Sequence, residues 1–233
     1  MRGVWSGTQY VAGSSLFLRG IMQKQTTILI SRWIMMLIAL LGPILQVIKY
    51  SVGMLTYYTT LSNFLVAGFS VYLVWAMQKG LDLQEGRLLR IKGAVTMAIM
   101  ITFVIYHIML RPLATDFWRV ENIICHYITP LYFFFDTLLF DRQKAYRWFD
   151  PFLWTSIPLS YFAFALLNGY LLHFPIPNGK DGYFAYYFLN APKYGWEFVI
   201  RSVIVIFIAY VLAGYVLYLL KSLGRRKHIL NKP

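Results

Sequence analysis

"FVIRSVIVIFIAYVLAGYVLYLL", residues 198–220, carries a single charged side chain, Arg201. At 1.5 Å of rise per residue, an uninterrupted helix over this stretch is about 34 Å long, enough to cross the roughly 30 Å hydrocarbon core of a bilayer. Water is a poor solvent for such a segment. Five further runs of the same kind lie upstream, at residues 33–48, 60–77, 93–110, 122–140 and 152–172. The first two are short, and their flanking residues complete them.

The whole chain agrees with that reading. It is 59% hydrophobic and 13% charged, about half the charged fraction of soluble domains. The expected fold is therefore all-α, a polytopic integral membrane protein built as a bundle of six transmembrane helices. Residues 1–26 read as a surface-lying or disordered leader, because Gln9 and Arg19 interrupt any apolar core that a signal peptide needs. Met22 is an alternative start. Residues 27–221 form the transmembrane domain, and residues 222–233 a basic tail.

A net charge of +13 raises the question of nucleic acid. The basic residues do not lie along a face with stacking aromatics, however; they fall between the apolar runs, so no nucleic-acid partner is expected. Across alternate connections, 16 Lys and Arg fall on the side of the termini and six on the other. The positive-inside rule then places both termini in the cytoplasm. Most connections are short. Residues 173–196 are the exception, rich in Tyr and Phe, and are expected to lie against the bilayer interface.

With this orientation, several polar residues gather in the outer half. Thr60 opens the second span, His126 lies about one turn into the fourth, His107 ends the third and Glu197 opens the sixth. Ionisable groups in a membrane are costly and usually face the bundle interior or a wet cavity. Helical phase puts Asn122, His126, Thr129 and Asp136 on one stripe of the fourth span. Thr56, Thr60, Asn63, Ala67 and Ser70 make a similar stripe on the second. Both stripes are expected to face inward onto a shared cavity.

Three roles compete for these residues. Small and hydroxyl side chains pack membrane helices together, and Thr59 or Ser62 at a helix start also suits capping. Alternatively, a Thr hydroxyl with a His base is the pair needed for nucleophilic catalysis. Thr60 and His126 are placed at similar depth for it, with Asn63 or Asn122 to support the histidine or an oxyanion. Asp136 is too far along its helix, about 15 Å from His126, to complete a triad directly. It suits a structural ion pair, or proton coupling if the chain is a transporter or small-molecule binder. Only one cysteine, Cys125, is present and no histidines are closely paired, so no metal is expected; no cofactor motif appears.

"YYTTLSNFLVAG", "VIYHIMLRP", "HYITPLYFFFDTLLFD", "IPLSYFAFALLNGY" and "GYFAYYFLN" together resemble, in order and spacing over roughly residues 30–220, bacterial six-span proteins related to the androgen-induced-gene (FAR-17a/AIG1-like) family. The animal relatives are membrane hydrolases of fatty acid esters of hydroxy fatty acids. The resemblance implies a lipid-ester hydrolase whose partners are membrane lipids and a lipid-like substrate. It implies Thr60 as nucleophile and His126, in "HYITP", as base. Thr59, adjacent to Thr60, is the alternative nucleophile.

Overall fold

The computed structural model describes residues 7–114, 116–177, 179 and 182–223. Among these the chain is helical with no strand, and six helices are long and apolar enough to span a membrane. They are α1 (Met22–Tyr50), α2 (Tyr58–Gln78), α3 (Gly86–Leu113), α4 (Val120–Phe140), α5 (Asp150–Leu172) and α6 (Trp196–Ser222). Each of the six apolar runs falls within one of them. The α1 helix begins upstream at Gly7, so residues 7–26 of the expected leader are helical and continuous with the first span rather than disordered. Residues 1–6 and most of the basic tail lie outside the described residues.

Three of the spans are not uniform α-helix. Residues Tyr106–Leu110 of α3, Ile124–Ile128 of α4 and Asn168–Leu172 of α5 form π-helical turns. Pro112 and Pro130 follow the first two closely. A proline has no N–H for the carbonyl four residues back, which loosens the ladder where the extra residue is accommodated. Pro158 does the same in α5, and the Trp154 carbonyl it leaves unpaired accepts instead from the Tyr210 hydroxyl of α6 at 3.1 Å.

The α1 helix lies against the π-turn of α4 at Gly42. A Cβ there would come within 2.7 Å of Cys125 Sγ and Ile124 Cγ2. Gly42→Val is therefore expected to displace that turn and to destabilise the fold by about 1–3 kcal/mol, the usual cost of overpacking. Thermal unfolding in detergent measures it; a midpoint unchanged from the parent would refute the tight contact.

At the end of the bundle that carries the chain termini, five charged side chains are buried together. Arg32 of α1 donates through Nε to Asp136 Oδ1 at 3.2 Å. Lys92 of α3 donates to Asp136 Oδ2 at 2.5 Å and to Asp141 Oδ1 at 2.6 Å. Lys221 of α6 donates to the carbonyls of Asp141, Thr137 and Leu138 at 2.7, 3.1 and 3.3 Å. None of these side chains reaches solvent, and together they tie α1, α3, α4 and α6. Buried ions are tolerated only when paired in this way.

The loop between α5 and α6 packs partly into the bundle. Phe184, Tyr186, Phe188 and Leu189 are buried and cluster with Ala165 and neighbouring aromatics. Phe188 and Leu189 lie in a 3-10 turn, Tyr187–Leu189, which folds back so that the Phe188 ring stacks on Tyr186 with centroids 5.2 Å apart. Tyr186 itself is extended, with φ −137° and ψ 138°.

Candidate functional site

Both inward stripes are where phase placed them. Thr60, Asn63, Ala67 and Ser70 of α2 are buried, with Thr56 in the 3-10 turn before it, as are Asn122, His126, Thr129 and Asp136 of α4. The pair that meets is different from the one expected. Thr59 Oγ1 lies 3.2 Å from His126 Nε2. Thr60 Oγ1 instead donates to Gln46 Oε1 of α1 at 3.0 Å. One residue along a helix turns a side chain by about 100°, so adjacent threonines on α2 serve different neighbours. Thr60 faces α1, and Thr59 faces α4.

Thr59 is not a cap. The α2 helix begins at Tyr58 after Tyr57, with no side-chain cap. Ser62 does back-bond, donating to the Thr59 carbonyl at 3.1 Å, and it shares a 2.8 Å hydrogen bond with Thr102 of α3.

The π-turn of α4 sets the histidine. His126 Nδ1 is 3.0 Å from the Asn122 carbonyl. That oxygen can only accept, so Nδ1 carries the proton, and in a neutral imidazole Nε2 is left bare. A bare Nε2 accepts the hydrogen bond from the Thr59 hydroxyl. The Tyr106 ring, on the π-turn of α3, stacks on the imidazole with centroids 3.8 Å apart. Hydroxyl, imidazole and backbone carbonyl thus form a chain Thr59–His126–Asn122.

Asn63 and Asn122 hold this arrangement together but offer no free donor to an oxyanion. The Asn63 amide donates to the carbonyls of Thr59 and Cys125 at 2.8 and 3.1 Å. The Asn122 amide donates to the Tyr106 hydroxyl at 2.6 Å and the Phe117 carbonyl at 2.8 Å. An amide nitrogen has two hydrogens, and in each case both are used. Their role is supporting.

Tyr186 supplies the donor that the asparagines do not. Its hydroxyl sits beside Thr59, 3.4 Å from the Thr59 backbone nitrogen, whose N–H it accepts. Burial pushes its pKa above the usual tyrosine range, so the phenol keeps its proton. That hydrogen is available to a group bound next to Thr59.

Thr59, Thr102, Tyr106 and Tyr186 open onto one cavity of about 100 Å³, whose remaining wall is mostly aliphatic and aromatic side chains of α3, α5 and α6 with Tyr58 and Phe188. About three waters at roughly 30 Å³ each, or one ester group, fit such a space. His126 lies behind Thr59 and Tyr106 rather than on the cavity wall.

The other sequence candidates lie elsewhere. His107 is exposed near the C-terminal end of α3, its Nδ1 3.0 Å from the Tyr127 hydroxyl. Glu197 is exposed at the start of α6. Asp136 belongs to the charge cluster at the opposite end of the bundle. Among the described residues, no three His, Cys, Asp or Glu side chains are grouped to hold a metal ion. Thr59 entered only as the alternative nucleophile, and Tyr106 and Tyr186 were passed over. The aromatic-rich "GYFAYYF" was the available signal for Tyr186.

No family model matches the chain, and no curated protein and no solved structure is significantly similar to it.

Proposed function

We propose that the protein is a membrane-embedded hydrolase of lipid or fatty acyl esters, with Thr59 as nucleophile and His126 as general base. The observation that carries this reading is the Thr59 hydroxyl at 3.2 Å from a histidine nitrogen whose ring partner, the Asn122 carbonyl, leaves that nitrogen free to take a proton. The resemblance to FAR-17a/AIG1-like threonine hydrolases points the same way, with the nucleophile moved by one residue. The resemblance implies a bacterial plasma membrane, and the Lys and Arg asymmetry supports cytoplasmic termini and a site in the outer half of the bilayer.

In the proposed reaction the ester carbonyl enters the cavity beside Thr59. Thr59 Oγ1 adds to the carbonyl carbon as His126 Nε2 takes the hydroxyl proton. The carbonyl oxygen becomes an oxyanion and accepts from the Tyr186 phenol. The tetrahedral intermediate then expels the alkoxide, which leaves as the alcohol with the proton from His126. Water, its proton taken by His126 in turn, adds to the acyl-threonine ester and releases the fatty acid, restoring the Thr59 hydroxyl.

Tyr186→Phe removes the oxyanion donor together with the long hydrogen bond from the Thr59 N–H. It is expected to lower kcat about 10²- to 10³-fold with little change in KM, the size measured for single oxyanion-hole donors. Hydrolysis of a fluorogenic acyl ester by purified protein in detergent micelles reads this. Turnover in Tyr186→Phe equal to the parent would remove Tyr186 from the reaction. Absence of ester turnover in the parent across acyl lengths would sink the hydrolase reading.

A further inference from the structure

We infer that the groove between α3 and α6 is the binding site for the acyl chain, taking one extended chain of about 10 to 17 carbons. The inference rests on the hydrolase reading for the chain's orientation, with the ester end at Thr59. The groove has a volume of about 410 Å³ and lies on the membrane-facing side of the bundle, where α3 and α6 pack only sparsely against each other. It joins the cavity at Ile101, Ile105, Ile206 and Tyr210, which line both spaces.

Three features make it a chain-binding groove rather than a gap between helices. First, its lining is apolar along its length. The one hydroxyl side chain in it, Tyr210, turns its oxygen away to the Trp154 carbonyl that Pro158 left unpaired, and presents only its ring. Second, it is widened by small residues: Ala209 and Ala213 sit midway along the α6 wall and are exposed. A bulky aromatic side chain at either position would narrow it and obstruct an extended chain. Third, it has an end. The groove reaches Met97 on α3 and Leu220 on α6, and the next residue of α6 is Lys221, bound to the carbonyls of Thr137, Leu138 and Asp141 in the charge cluster. A hydrocarbon tail gains nothing by entering that cluster.

Length follows from geometry. From the junction with the cavity, Ile105 to Met97 covers about 12 Å of helix rise and Ile206 to Leu220 about 21 Å. An extended chain advances about 1.2 Å per bond, as the three backbone bonds of a residue do over 3.6 Å. The groove therefore accommodates about 10 to 17 carbons.

Two measurements test this in nanodiscs. In the first, hexadecanoic acid carrying a terminal diazirine is irradiated with the protein, and the labelled peptides are mapped. Labelling is expected within residues 97–109 and 205–220, and to fall at least tenfold in Ala213→Trp and in Ala209→Phe. In the second, the ratio of hexadecanoyl to butanoyl ester turnover is expected to fall at least tenfold in the same variants. Labelling spread over the outer faces of all six helices, or indifferent to both substitutions, would overturn the groove. Groove labelling that the substitutions remove, in a protein with no ester turnover, keeps the groove and rejects the hydrolase.

Discussion

Thr59→Ala is expected to lower ester turnover by at least about 10³-fold, and Thr60→Ala to leave it within a few-fold of the parent. The contrast is sharp because the two hydroxyls are neighbours of the same chemical type. Both are buried, and both make one hydrogen bond to another helix. Loss of either bond costs about 1 kcal/mol of stability, so stability alone does not separate them. Only Thr59 has a base within reach, and removing a nucleophile or its base costs far more in rate than a lost structural hydrogen bond does. His126→Gln is expected to match Thr59→Ala. Because the two act as a unit, the double variant should be no worse than either single one. Thr59→Ser keeps the hydroxyl and should retain turnover. The check is kcat/KM for an acyl ester in the folded variants, with a covalent acyl-site inhibitor mapped by mass spectrometry onto residue 59. Equal losses in Thr59→Ala and Thr60→Ala would show that the pair only packs helices. A label on Thr60 would move the nucleophile back there.

Lys92→Met is expected to destabilise the bundle by about 3–5 kcal/mol, the cost of leaving a buried charge without its partner. Lys92 is the only cation that bonds both carboxylates at short range, Asp136 at 2.5 Å and Asp141 at 2.6 Å. Arg32 still meets Asp136, but it lies 3.9 Å from Asp141. After the substitution Asp141 is thus the carboxylate left exposed to an apolar interior. Adding Asp141→Asn in the same chain removes that orphan charge, so the double variant should recover part of the loss, and the two effects should not add. Unfolding midpoints in detergent for the two single variants and the double read the coupling directly. Strict additivity would mean that the cluster is not one electrostatic unit. Turnover should survive in whatever fraction remains folded, because the cluster and Thr59 lie at opposite ends of the bundle. A selective loss of turnover without loss of stability would instead tie the cluster to function.

The fold was legible because its determinants are local. Six apolar runs separated by short polar connections can satisfy their backbone in a bilayer only as helices, and each run became one. The burial of both polar stripes was legible for a similar reason: over two or three turns, helical phase accumulates little error. The site was legible only to the level of region and residue type. Thr59 and Thr60 differ by one position, and choosing between them needs the rotation of α2 relative to α1 and α4. That rotation is set by contacts such as Thr60 with Gln46 and Asn63 with the Cys125 carbonyl.

What the sequence determined by itself is the six-helix architecture, the inward placement of the polar residues and the two residue types, Thr and His, on adjacent turns of the problem. The tertiary structure decided which threonine meets His126, that Tyr186 folds back from a loop to stand beside it, and that Asp136 is an ion-pair partner remote from both. The physical reason is that hydropathy acts residue by residue and survives in any arrangement of the helices. A contact between particular side chains depends on the rotation of each helix, on π-turns that shift the phase after Ile124, and on Tyr186, a loop residue sixty positions beyond His126. None of these is fixed until all six helices have packed.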